Sequence, residues 1–237
     1  LFADWRATFV LLTVIGVFLA GTTLVYQETL PKESRSENMT DSLKKFPVLF
    51  RDRYFLGHCL LQCFVFGAFF SYLSGSSFVF QNIYAVSPQV YSMIFAFIGA
   101  GLMIAGVLPA RLAGRIPDIV ILKYSVLVPL VGSLLLLLGF YFSASLAVIL
   151  VLLFITIVPL SVMGASSFSL ALSRQGKNAG SASALIGCFS MLLGACAMPL
   201  TGIAGDQTAL PMGIIMVTGY GLGTLVFYRM IAVDHAP

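Results

Sequence analysis

His58, Cys59 and Cys63 fall within six residues of one another, and no other part of the chain brings imidazole and thiol so close. On a helix, however, Cys59 and Cys63 lie one turn apart while His58 stacks over Gln62, so the three groups do not converge on one point. The second histidine, His235, is far away in the tail, and no acid is near. The four cysteines, including Cys188 and Cys196, therefore read as buried thiols that serve as small apolar side chains in hydrophobic spans, and none sits in a loop where oxidation would pair it. No metal and no cofactor is expected. The chain also carries no phosphate-binding glycine loop, no nucleophile elbow and no paired carboxylates, so no enzyme is expected.

A different, uncharged chemistry runs along the same segment. His58, Gln62, Phe69, Tyr72 and Ser76 are spaced by threes, fours and their sums, which puts them on one helix face. The polar character continues through Gln81 and Asn82 without a charge. Two readings of this stripe stay open. Hydroxyls and amides beside aromatic rings suit a wall that holds neutral or cationic organic molecules loosely; equally, they suit hydrogen bonds that tie helices together, worth on the order of 1 kcal/mol each.

The elements that position these residues follow from composition. Hydrophobic residues make up 59% of the 237-residue chain and charged ones 9%, and the mean hydropathy is +1.01, the profile of a chain dissolved in a bilayer. A hydrocarbon core about 30 Å thick needs roughly 20 apolar residues per helix. Uncharged runs of that size occur seven times, at 7–26, 54–76, 89–109, 121–142, 146–170, 181–203 and 211–228. None shows the alternation of a membrane strand, so the expected fold is all-α, a polytopic membrane protein of seven transmembrane helices. The first run is too long for a signal peptide and ends in GTTLVYQETLP rather than at a small-residue cleavage site. The chain starts at Leu1 and enters its first helix almost at once, which reads as a piece of something longer.

Charge then orients the helices. With seven spans, twelve of the thirteen basic residues fall on one side, among them Arg111, Arg115, Lys123, Arg174 and Arg229, and only Arg6 falls opposite. That side is expected to be cytoplasmic, leaving the N-terminus outside and the C-terminus inside. The net charge of +4 needs no nucleic-acid partner once this bias explains it. The long charged stretch 27–53 separates the first span from the other six. Its segment around Phe46, Val48, Leu49 and Phe50 reads either as a short interfacial helix or as a solvated linker, and its sequon at Asn38 as chance on the cytoplasmic side. All nine acids lie in loops or at helix ends, so the chain by itself holds no carboxylate deep enough for a proton relay. Gly180, Gly187 and Gly194, at a period of seven, and Gly99, Gly101 and Gly106 are expected to let helices approach closely.

Several segments resemble a known family. WRATFVLLTVIGVFLAGTTLVYQETLP, FSYLSGSSFVFQNIYAVSPQ, PARLAGRI, NAGSASALIG and GIAGDQTALPM occur here in the order found in the C-terminal half of the Bcr/CflA (bicyclomycin-resistance) drug:proton antiporters of the major facilitator superfamily. The resemblance implies that the seven helices are the sixth to twelfth of a twelve-helix fold. Residues 1–26 would then be the last helix of the N-terminal bundle, 27–53 the central cytoplasmic loop, 54–229 the C-terminal six-helix bundle and 230–237 the tail. It implies a bacterial inner-membrane exporter of small hydrophobic or cationic compounds, working by proton antiport and alternating access, whose coupling acids and partner surface belong to the N-terminal bundle. Substrate-wall candidates are Gln62, Phe69 and Tyr72, then Met93, Phe97 and Phe189, while Arg111 and Arg115 would set topology or latch a cytoplasmic gate. Ser77, where relatives commonly carry proline, and Ser166-Ser167, where many carry asparagine, depart from the pattern and bear on which substrate is taken. The competing expectation is a stand-alone seven-helix subunit or a receptor-like binding protein. The receptor lacks its usual Asp-Arg-Tyr and Asn-Pro-x-x-Tyr signatures here.

Overall fold

Each span is a helix because hydrocarbon offers backbone amides and carbonyls no partner except one another. The structure, a computed structural model, describes residues 5–25, 46–203, 205 and 208–235, without the side chains of Trp5, Lys177, Asp234 and His235. Among the described residues there is no strand, and seven helices are long and apolar enough to cross a membrane, as expected. The sequon at Asn38 and the basic residues Lys32, Arg35, Lys44 and Lys45 lie outside the described residues. The chain divides into two units, Leu1–Asp41 and Ser42–Pro237. The described part of the first is helix α1 (Trp5–Val25), whose Thr13, Thr22 and Thr23 hydroxyls donate to carbonyls three or four residues back and so leave no donor facing hydrocarbon.

In the second unit a short helix, α2 (Phe46–Arg51), leads into α3 (Arg53–Phe78), which one π-helical turn (Val79–Ile83) lengthens beyond the expected end at residue 76. The remaining α-helices are α4 (Pro88–Gly106), α5 (Leu108–Leu112), α6 (Asp118–Tyr141), α7 (Leu146–Ile157), α8 (Pro159–Ser173), α9 (Ala179–Ala197) and α10 (Leu210–Val226). Two expected spans are interrupted, for a local reason. Pro159 has no N–H to give the Ile155 carbonyl, and the ladder breaks at Val158 between α7 and α8. Pro109 does the same to the Ala105 carbonyl, separating α4 from α5 at Val107.

Helix α3 is the axis of this unit: α9 and α10 pack along two of its sides, and α8 joins them; α6 closes the far side against α7, α8 and α10. The main core follows from this, with Tyr72, Phe80, Leu136, Leu153, Met216 and Tyr220 all buried in one cluster. A second cluster gathers Leu49 of α2 with Phe55, Cys59, Ala171 and Leu185, so this short helix buries Leu49 and leaves Val48 and Phe50 exposed. The Tyr84 phenol donates to the Ala144 carbonyl at 3.0 Å, tying the turn beyond α3 to the α6–α7 turn, and burial raises that phenol above its ordinary pKa.

Helices α3 and α10 approach closely. A Cβ on Gly219 would stand 2.6 Å from the Phe64 carbonyl oxygen, a backbone atom that cannot swing away. The glycines singled out by spacing behave unevenly. Gly194 lies under the Phe70 ring and Gly101 under Phe154, but Gly180 and Gly187 are exposed with no heavy atom within 4 Å of an added Cβ. The period of seven therefore does not mark one continuous seam among the described residues, because the α3 neighbour follows only part of that face. Replacing Gly219→Ala should destabilise the folded protein by about 1–3 kcal/mol through overpacking. Gly187→Ala should leave stability unchanged or slightly raised, with thermal unfolding in detergent distinguishing the two.

Candidate functional site

The uncharged stripe of α3 points inward along most of its length. Gln62 is 5% exposed and Tyr72 2%, His58 and Ser76 are fully buried, and Phe69 is half-buried against the main core. Burial of amides and hydroxyls in a membrane helix demands partners. His58 Nδ1 finds one in the Ser167 hydroxyl of α8 at 2.9 Å, and the Ser76 hydroxyl lies 3.1 Å from the Tyr91 hydroxyl of α4. Gln62 Nε2 has no hydrogen-bond partner among the described residues, nor do the Ser166 and Ser190 hydroxyls.

Rings continue where the polar atoms stop. Phe69 meets Tyr72 at 6.1 Å between centroids; Tyr72 stacks nearly parallel on Phe95 of α4 at 6.2 Å, and Phe95 meets Tyr91 at 6.1 Å. Tyr91 contacts Phe80 at 6.2 Å, and Phe80 contacts Tyr84 at 6.4 Å. This ladder runs from the middle of α3 to the turn at its far end. Of the sequence-derived candidates, Gln62, Phe69 and Tyr72 share this face. Met93 and Phe97 belong elsewhere: 63% and 64% exposed, they line a groove of about 400 Å³ between α4 and α7 with Ile94, Leu150 and Phe154. Phe189 is 37% exposed and packs edge-on against Phe50 of α2, 5.6 Å away. Phe95, Tyr91 and Phe80 were not singled out from sequence. Their spacing reads as ordinary apolar helix, and only the α3–α4 contact makes them a ladder.

Charges gather at the opposite end. Asp52 caps α3, one carboxylate oxygen accepting the Tyr54 and Phe55 amides at 3.0 and 3.2 Å while the other accepts Gln175 Nε2 at 2.7 Å. The Arg174 guanidinium lies 3.7 Å above the Tyr54 ring, whose own edge-on neighbour is His58 at 4.7 Å. Arg53 donates to the Arg229 carbonyl at 2.9 Å. The start of α3 is thus tied to the ends of α8 and α10. Arg111 and Arg115 lie apart from this cluster, both exposed, on α5 and the turn after it. Cys59 and Cys63 are buried while Cys188 and Cys196 are exposed, so the reading of all four thiols as buried fails for α9, whose face toward them has no described neighbour. No cluster of three His, Cys, Asp or Glu side chains exists among the described residues.

Asp52→Ala should cost about 1–3 kcal/mol, since it removes both a helix cap and a charge-assisted bond. Asp52→Asn, which keeps an acceptor oxygen, should cost less. Thermal unfolding with amide exchange at the start of α3 measures both.

Comparison with known proteins agrees with this architecture. Residues 1–199 match the Major Facilitator Superfamily. The chain is 37% identical over 231 residues to an uncharacterized MFS-type transporter, YdgK, of Bacillus subtilis (strain 168), covering 97% of this chain and 57% of that protein. It is 23% identical over 229 residues to a bicyclomycin resistance protein homolog of Haemophilus influenzae, covering 96% of this chain and 58% of that one. The chain thus spans less than two thirds of the length of these relatives. No solved structure matches it. Seven apolar helices, a buried stripe without membrane carboxylates and a match over most of the sequence lead to one conclusion: the chain belongs to the major facilitator superfamily.

Proposed function

We propose that this chain forms the C-terminal portion of a twelve-helix exporter of the bicyclomycin-resistance type, which moves small hydrophobic or cationic organic molecules out of a bacterium by proton antiport with alternating access. The observation that carries the reading is the uncharged column of α3, with Gln62, Phe69 and Tyr72 continued by the rings of Phe95 and Tyr91. Aromatic faces attract organic cations through their quadrupoles and neutral ring systems through stacking, without a fixed counter-charge that would restrict the substrate to one sign. The Gln62 amide, buried with Nε2 unpaired among the described residues, is a donor that a substrate carbonyl could satisfy once movement of the bundle uncovers it. Met93, Phe97 and Phe189 are proposed as substrate contacts apart from this column, and Arg111 and Arg115 as topology or gate residues.

Proton coupling on this reading resides outside the stretch. The described acids Asp52 and Asp118 stand at helix starts, not at depth, so the coupling carboxylates belong to the N-terminal bundle against which this one would rock. In the bacterial inner membrane the basic end would face the cytoplasm.

Replacing both Gln62→Ala and Tyr72→Ala removes one hydrogen bond and one aromatic contact, roughly 1–3 kcal/mol together, which is about five- to hundredfold in apparent affinity. Efflux of fluorescent cationic dyes from cells with equal amounts of folded protein measures this; unchanged export of every compound tested would refute the assignment. For orientation, a membrane-impermeant maleimide should label Arg115→Cys only in inverted vesicles and Ser143→Cys only in intact cells, in a background without native cysteines.

A further inference from the structure

Away from the α3 stripe, the two proline breaks open a groove at the basic end of the bundle. Where α5 departs from α4 and α8 begins, the surfaces of α5, α6 and α8 diverge around a space of about 360 Å³ lined by Leu112, Ile116, Tyr124, Val128, Val158 and Val162. Its walls are hydrocarbon in character. The Ser125 hydroxyl, which also borders it, donates to the Leu122 carbonyl of its own helix at 2.9 Å and so gives no proton to an occupant. A concave apolar slot of this kind takes a flexible alkyl chain.

The rim is basic. Arg111 on α5, Arg115 in the turn after it and Lys123 on α6 are all exposed, and the only acid between residues 105 and 130 is Asp118 at the start of α6. Tyr124, which lines the groove and is 60% exposed, offers an amphipathic ring of the kind that settles between headgroups and hydrocarbon. The complement to this surface is one molecule with an alkyl tail and an anionic head joined at that level. A basic recess between membrane helices is the ordinary form of an anionic-lipid site.

We propose that the groove between α5, α6 and α8 binds one acyl chain of an anionic phospholipid while Arg111, Arg115 and Lys123 hold its phosphate. This gives the two arginines a ligand as well as a part in topology. It does not depend on which compound the protein transports.

The test uses the protein as its cell makes it, purified in detergent and titrated with dioleoyl phosphatidylglycerol or dioleoyl phosphatidylcholine, bound lipid being counted by native mass spectrometry. Phosphatidylglycerol should be retained at lower concentration than phosphatidylcholine. Combined Arg111→Gln, Arg115→Gln and Lys123→Gln should abolish the difference, at roughly fivefold per cation, the equivalent of about 1 kcal/mol each. Arg111→Lys with Arg115→Lys should keep the difference, which separates loss of charge from loss of fold, and Val162→Trp should displace both lipids by filling the slot. Equal retention of the two lipids, or an unchanged preference in the glutamine variant, would overturn the site. So would efficient cross-linking of Val128→Cys to protein, because the groove would then be covered by another part of the polypeptide or by a second copy.

Discussion

Everything in this structure depends on the cost of an unsatisfied polar group in hydrocarbon. Backbone amides meet that cost by forming helices, and most hydroxyls meet it by turning back onto their own helix: Ser71 onto Ala68, Ser133 onto Leu130, Thr156 onto Leu152 and Thr224 onto Tyr220. The exceptions carry the tertiary information. His58 to Ser167, Ser76 to Tyr91 and Tyr220 to the Thr156 carbonyl each join two helices, and Tyr84 to the Ala144 carbonyl joins two turns, each where its partner element is already close.

Closeness comes from missing side chains. Gly219 brings the α10 backbone onto the Phe64 carbonyl, and this fixes α3 against α10 along a seam where few atoms are free to move. On its other flank α3 meets α9 through Phe70 seated on Gly194, while the upper face of α9, with Gly180 and Gly187, meets no described neighbour.

The basic end shows a similar division of labour. Asp52, Gln175, Arg174, Tyr54 and Arg53 bind the starts and ends of α3, α8 and α10 to one another by short contacts. Arg111, Arg115 and Lys123 remain exposed, each next in sequence to a residue that lines an apolar recess. The same residue types thus serve packing in one place and a surface in the other, and their chain positions alone do not separate the two.

Much of this was legible before any coordinates. Seven helices, their approximate limits and the gathering of charge at one end follow from hydropathy and from counting Lys and Arg, because a bilayer penalises every misplaced charge and every unpaired amide regardless of context. The inward turn of His58, Gln62, Tyr72 and Ser76 was equally legible, since a period near 3.6 defines a face and polarity says that the face avoids lipid. What covers that face was not. The Tyr72–Phe95–Tyr91 ladder, the separation of Met93, Phe97 and Phe189 from it, the exposure of Gly180 and Gly187 and the groove beside Arg111 arise from contacts between residues far apart in the chain. Periodicity along one helix records the direction of a side chain but carries no information about which neighbour lies there, and that was settled only when α3 packed among α4, α8, α9 and α10.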